Sequence, residues 1–87
     1  MAYLVLHVDE PGPVCLWIAS YLYANIKGSK DIYYGMSNIP ANVVKEVKCS
    51  KWAVHRVEDQ NVVFVDIFDE EPNNQHFLLL KLKYEHR

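Results

Sequence analysis

The segment from Pro13 to Lys27 is the feature that most limits what this chain can fold into. Pro13 suits the first turn of a helix because proline has no N–H left to pair, and Gly28 is a suitable left-handed stop, so the sequence predicts a helix over Pro13–Lys27. At about 100° per residue, one side of this helix is apolar and is assigned to the core. That side carries Val14, Cys15, Ile18, Ala19, Leu22 and Ile26. The other side is also rich in apolar groups, and it holds Leu16, Trp17, Ser20, Tyr23 and Ala24.

A helix that is apolar nearly all round is difficult to bury in a short chain. The protein has 87 residues, of which 51% are hydrophobic, and this length predicts one domain over residues 1–87 with one core. Such a domain cannot cover both sides of a helix with a single sheet. We therefore expect Leu16, Trp17 and Tyr23 to form an exposed patch or to meet another chain. The alternative is that the helix is misplaced and these side chains belong to the core.

The other elements follow from alternation and turn signals. A largely buried strand is predicted at Tyr3–Val8, a strand with two alternating faces at Val62–Phe68, and a short strand at Asp31–Met36. A polar turn over residues 69–74 leads to another predicted strand at Phe77–Tyr84, which would form a hairpin with Val62–Phe68. The two faces of this hairpin are apolar, so Phe64, Phe68, Phe77 and Leu79 are expected on the uncovered face of the sheet.

The segment Pro40–Glu58 is ambiguous because its valines favour a strand while its periodicity favours a helix. A helix would place the valines on one side and the cations on the other, so a helix is predicted. The alternative is a short helix ending near Lys48, followed by a strand from Ser50 to Glu58 that pairs with the next strand. The fold class is then a single small α+β domain, ferredoxin-like or a related sandwich. Its order is β-α-β-α-β-β, with one mainly antiparallel sheet against two helices.

The predicted second helix would carry a basic arc. Its members are Lys45, Lys48, Lys51 and Arg56, with Trp52 and His55 among them. Cations that neutralise phosphates, next to an aromatic ring that can stack, are typical of a nucleic-acid surface. A solvated helix face explains the same pattern, and the net charge of -2 favours that explanation.

Catalytic and metal-binding signatures are weak. Carboxylates at strand ends can hold Mg²⁺, which makes Asp9 with Asp66 a candidate pair, although acidic turns have the same composition. The spacing of His7, His55, His76 and His86 does not predict a zinc site. No cofactor is expected. Cys15 and Cys49 are expected to be buried and reduced in a cytoplasmic protein, and Val14–Ile26 is too short to span a membrane.

The layout resembles the small ferredoxin-like subunit of the CRISPR spacer-acquisition complex, in its type I-E branch. The resemblance covers Leu4–Val8 with its Pro-containing turn, the helix with Trp17, the Ile32–Gly35 strand and the Asn61–Phe64 opening of the last hairpin. It implies a ferredoxin-like fold and a dimeric nucleic-acid-binding subunit. In members with nuclease activity an Asp ends the first strand, and Asp9 stands at that place.

The pattern as a whole predicts a small non-enzymatic protein that regulates or inhibits a larger protein by docking on it. The expected anchors are Leu16, Trp17 and Tyr23, with Trp52 in a second patch, because buried aromatic side chains tend to dominate binding energy. The partner would be a larger protein, a second copy of this chain, or both. The alternative from another class is the nucleic-acid-binding subunit, which would use Lys45, Lys48, Lys51 and Arg56 on phosphates.

Overall fold

A computed structural model of the chain describes residues 2–29, 39–68 and 73–84. The elements run in the order β1 (Ala2–His7), α1 (Pro11–Asn25), a 3₁₀ turn (Ala41–Val43), β2 (Glu46–Lys48), β3 (Trp52–Arg56), β4 (Val62–Ile67) and α2 (Asn73–Tyr84). One antiparallel four-stranded sheet and two helices form the domain, which confirms the α+β class. The strand predicted at Asp31–Met36 lies outside the described residues.

The four strands lie in the order β1-β4-β3-β2, and every neighbouring pair is antiparallel. One row across the sheet joins Leu4, Val65, Val54 and Val47. Because side chains alternate along a strand, this row shares one face with the other inward residues. They are Leu6, Trp52, Val63 and Ile67, and all are buried. The regular β alternation therefore builds the core from one face of the sheet.

Helix α1 lies across β2, β3 and β4 and buries Cys15, Ile18, Ala19 and Leu22. The predicted inward side of this helix is confirmed, although the helix begins and ends two residues earlier than expected. Its first turn packs closely on the 3₁₀ turn, where a Cβ atom added at Gly12 would collide with the carbonyl oxygen of Ala41. A side chain at this position would push the two segments apart.

The prediction of a helix over Pro40–Glu58 is wrong. The segment forms β2 and β3, joined by a tight turn in which the Cys49 N–H donates to the Trp52 carbonyl at 2.9 Å. This turn shifts the phase of the alternation, so that Val47 and Val54 pair on the same buried face. The alternative of a strand after Lys48 is closer to the structure, because β3 does pair with β4.

The predicted strand Phe77–Tyr84 is also wrong, because these residues belong to helix α2. The helix packs on the edge strand β1 and places His76, Leu80 and Tyr84, one turn apart, toward the core, with Phe77 beside them. The described elements thus run β-α-β-β-β-α instead of β-α-β-α-β-β. The Leu-rich sequence fits the period of a strand and that of a helix. Leucine favours a helix more than the β-branched residues do.

A buried polar contact links the turn after α1 to the sheet. The indole N–H of Trp52 donates to Ser29 Oγ at 2.9 Å, and that hydroxyl donates to the Ile26 carbonyl at 2.6 Å. Cys15 and Cys49 are buried free thiols. Among the described residues, neither helix combines the length and the apolar run that crossing a bilayer would require.

Candidate protein-binding surface

The three side chains predicted to form a patch on α1 differ in exposure. Trp17 is 40% exposed, whereas Leu16 and Tyr23 are half-buried and pack against the core. Helix α1 therefore presents a smaller apolar patch than its composition suggests. The ring of Trp17 contacts Lys83 and Tyr84 of α2.

Trp52 does not contribute a second surface patch, which corrects the sequence-based expectation. Its side chain is fully buried, and its indole nitrogen is paired with Ser29. The reason is that β3, and not a solvated helix, carries this residue, and its position in the register faces the core. Trp52 is a structural residue of the interior.

Trp17 lies in an aromatic cluster between the two helices. Its ring stacks on Tyr21 with centroids 5.6 Å apart and an interplanar angle of 5°, and it meets the edge of Tyr84 at 6.0 Å. The Lys83 ammonium lies 4.6 Å from the centroid of the indole ring, within cation–π range. These contacts hold the indole in one orientation while part of its surface stays open to solvent.

Sequence reasoning missed the apolar side chains that α2 turns outward. Leu78 is 59% exposed, Leu79 45% and Leu82 62%. Leu82 lies four residues after Leu78 and three after Leu79, so it neighbours both of them and the three side chains form one stripe along the helix. Leu79 is one turn from Lys83, whose ammonium lies over the Trp17 ring, so Lys83 stands between the leucine stripe and the indole. We call Trp17, Leu78, Leu79, Leu82 and Lys83 together the α1–α2 surface.

The helical spacing of His76, Leu80 and Tyr84 was the available signal for this stripe. Reading the segment as a helix with that inward side would have put Leu78 and Leu82 outside. The same residues also alternate as a strand requires, so the sequence alone did not identify the helix. Seven large hydrophobic side chains are exposed in the described parts of the chain, and four of them, one Trp and three Leu, lie on the α1–α2 surface.

The charge of the α1–α2 surface is opposite in sign to that of the whole chain. The last turn of α2 carries Lys81 and Lys83, and the sequence of α2 contains no Asp or Glu. The chain as a whole has a net charge of -2. Lysines near a helix C-terminus also interact favourably with the helix dipole. The surface is therefore apolar with a basic border.

A part-buried polar pair connects α2 to α1. The Tyr21 hydroxyl and His76 Nδ1 are hydrogen-bonded at 2.9 Å, and the two rings pack edge to face. Burial lowers the pKa of His76 and raises the pKa of Tyr21 from their ordinary values. Both shifts favour the neutral forms, so this contact is made by an uncharged pair.

The four cations of the predicted basic arc do not lie on one helix, and the Arg56 N–H donates to the Lys45 carbonyl across the β2–β3 hairpin. The Arg56 guanidinium donates to the backbone carbonyls of Val44 and Asn42, and it holds the segment before β2 in place. Lys45 pairs with Glu58 and Lys48 with Glu46, each at 3.7 Å. Lys51 lies in the turn before β3. Phosphate binding by these residues stays a prediction.

Asp9 and Asp66 lie at opposite ends of the sheet. Asp66 is opposite Tyr3, near the start of β1, whereas Asp9 follows the end of that strand. About six residues of extended chain at roughly 3.3 Å each separate the two levels, which is too far for a shared ion. Burial raises the pKa of the Cys15 thiol to about 12, so this cysteine stays protonated and is a poor nucleophile. Over residues 2–29, 39–68 and 73–84 the structure contains no metal-binding cluster of His, Cys, Asp or Glu.

The second face of the sheet is a mixed surface. Tyr3 and Phe64 have centroids 5.6 Å apart, His55 stacks on Phe64 at 5.2 Å, and Phe68 is exposed nearby. Phe64 and Phe68 lie on the outer face, as expected, but Phe77 and Leu79 belong to α2. Glu46, Lys48 and Asp66 share the outer face by register. This face is only partly open to solvent, because Ala53 is buried and His55 Nδ1 and Asp66 Oδ1 have almost no exposed area.

Comparison with known proteins adds no relative to this geometry. No protein-family model, curated protein or solved structure matches the chain. The function is therefore inferred from the structure itself. The α1–α2 surface is the feature that indicates it, because its exposed apolar side chains are neighbours and are not scattered singly.

Proposed function

We propose that this chain is a small non-enzymatic protein-binding module, a regulator or inhibitor that docks on a larger protein through the α1–α2 surface. The carrying observation is the outward stripe of Leu78, Leu79 and Leu82 beside the part-exposed Trp17. Solvent-facing helix surfaces are normally polar, and leaving three adjacent leucines in water has no benefit for the monomer. A partner that covers them would remove this apolar area from water.

The composition of the surface supports docking. Tryptophan is among the residues that contribute most to binding, and Trp17 is held in place by Tyr21 and Tyr84, so little side-chain freedom is lost on association. Lys81 and Lys83 provide a charged border around the apolar centre. An apolar centre with a polar rim is the usual arrangement of protein interfaces.

The test is affinity capture from the native host with three tagged proteins: the wild type, Leu78→Gln/Leu82→Gln on the α1–α2 surface, and Tyr3→Gln/Phe68→Gln on the outer sheet face. All four side chains are exposed, so both double variants should fold, which circular dichroism checks. We expect a host protein that the wild type and the sheet-face variant retain and the α2 variant loses. Identification by mass spectrometry and titration with the purified partner would complete the test.

The outcome that contradicts the proposal is a partner held equally by the wild type and the α2 variant. Loss of the partner only in the sheet-face variant would place the docking site on the other face. Replacement of Trp17 by Ala is a third probe of the same surface, and we expect it to weaken capture while leaving the helices intact.

A further inference from the structure

The stripe on α2 is bordered by a cation on each side. At about 100° per residue, Lys81 lies beside Leu78 on one side of the helix and Lys83 lies beyond Leu79 on the other. Both lysines are exposed, and α2 contains no carboxylate that could pair with them within the helix. The local sign is positive in a chain whose net charge is -2.

From this pattern we infer that the α1–α2 surface binds an amphipathic helix of another protein whose apolar face is flanked by Asp and Glu. The inference rests on the proposed function and names the chemistry of the partner. Leucines at the spacing of one helical turn interdigitate with apolar side chains at the same spacing on a second helix. Carboxylates beside that seam would meet Lys81 and Lys83 and fix the orientation.

A second copy of this chain fits the surface less well. Packing α2 of one copy on α2 of another would bring two pairs of lysines around one apolar seam with no carboxylate from either helix. Like charges placed together at an interface cost free energy and select against that partner. The charge pattern therefore favours an acidic partner over self-association.

An anionic membrane would offer the same sign of charge, but the surface is small for that purpose. The stripe has three leucines on a helix of 12 residues, and the Lys83 ammonium already lies over the Trp17 ring. The chain also carries net negative charge, which an anionic bilayer repels as a whole. A docked helix is smaller than a bilayer and meets only the groups next to the α1–α2 surface, so the net charge of the chain matters less to it.

Two synthetic helical peptides test the inference directly. Both carry the same leucine stripe, and they differ only in having Glu or Lys beside it; each has a dye for fluorescence anisotropy. We expect the full-length protein to bind the Glu peptide at least about 10-fold more tightly than the Lys peptide at low salt, and the ratio to shrink as salt is raised. Leu78→Gln/Leu82→Gln should abolish binding of both.

Charge variants connect the preference to the two lysines. Lys81→Gln/Lys83→Gln should remove the preference for the Glu peptide, and Lys81→Glu/Lys83→Glu should reverse it. The matched control is Lys45→Glu/Lys48→Glu, which makes the same charge change at exposed lysines outside the α1–α2 surface. This control should keep the preference for the Glu peptide.

Several results would overturn the inference: equal binding of the two peptides, binding of neither, or a preference that survives reversal of Lys81 and Lys83. Tighter binding to phosphatidylserine vesicles than to the Glu peptide would identify a membrane instead. A dimer in sedimentation velocity that Leu82→Gln dissociates would identify a second copy. Capture of a host partner through the α1–α2 surface by a docking segment without acidic flanks would refute this inference while the proposed function stands.

Discussion

Helices α1 and α2 differ in how their apolar residues are used. In α1, Cys15, Ile18 and Leu22 are fully buried because the helix crosses the middle of the sheet, over β2, β3 and β4. In α2, Leu80 is fully buried while three other leucines face outward, because this helix packs along the edge strand β1. The position of a helix relative to the sheet, and not its apolar content, decides how much of its surface remains available to a partner.

The largest expected effect is a difference in stability between a variant of α1 and a variant of α2. Ile18→Ala in α1 should lower the free energy of unfolding by about 2–5 kcal/mol, because it leaves a cavity among fully buried side chains. Leu82→Ala in α2 should change it by no more than about 0.5 kcal/mol, since that side chain is already in water. Urea unfolding followed by circular dichroism measures both. Equal losses for the two variants would show that the outward side of α2 is covered by the chain itself.

A second effect concerns the polar contact that links the end of α1 to the sheet. Ser29→Ala removes the acceptor of the buried Trp52 N–H, and leaving that donor unpaired should cost about 1–3 kcal/mol. The matched control is Ser20→Ala, because the Ser20 hydroxyl donates to the Leu16 carbonyl at an exposed position of α1. We expect little change for the control. A loss of stability as small for Ser29→Ala as for Ser20→Ala would mean that the Trp52 contact is not a structural link.

The smallest expected effect is a pH dependence of the free energy of unfolding, which comes from the contact that holds α2 on α1. Burial lowers the pKa of His76 below the value of 6.5 that it has in the unfolded chain, so the unfolded state takes up a proton first as pH falls. The stability due to neutral His76 is complete above pH 6.5 and is lost as pH decreases through that value. His76→Leu should flatten this part of the curve, whereas His7→Gln at an exposed position should not. Identical slopes for wild type and His76→Leu, in urea unfolding at about pH 5 and pH 7.5, would contradict the assignment.

The elements that could be predicted are those with one unambiguous period. Strand β4 alternates, and α1 has a helical core side and a proline at its start, so their type and inward residues follow from local sequence. Strand β1 was predicted from its continuous apolar run, which gives its type but not its inward residues. The β2–β3 hairpin could not be predicted in the same way, because the turn after Lys48 interrupts the alternation and a single periodic pattern was assumed across it. Trp52 was placed on the surface for this reason.

The candidate site shows the same division. The exposure of Trp17 was predicted because this residue lies on the outer side of a recognisable helix, and its 40% exposure agrees with that position. Leu78 and Leu82 were missed, and Leu79 was expected on the uncovered face of a sheet instead of a helix, because the run Phe-Leu-Leu-Leu-Lys-Leu-Lys-Tyr satisfies either a strand or a helix. Only the packing of His76 and Leu80 under the sheet determines which leucines are left outside.

The amino-acid sequence alone determined that the chain has more apolar surface than a single small core can bury, and that α1 is one source of that excess. The tertiary structure decided where most of the excess is exposed, by pairing β2 with β3, burying Trp52 and placing α2 at the edge of the sheet. The physical reason is that local periodicity specifies which side chains share a face. The face that is buried is chosen by the long-range strand pairings and by the space that remains beside the sheet.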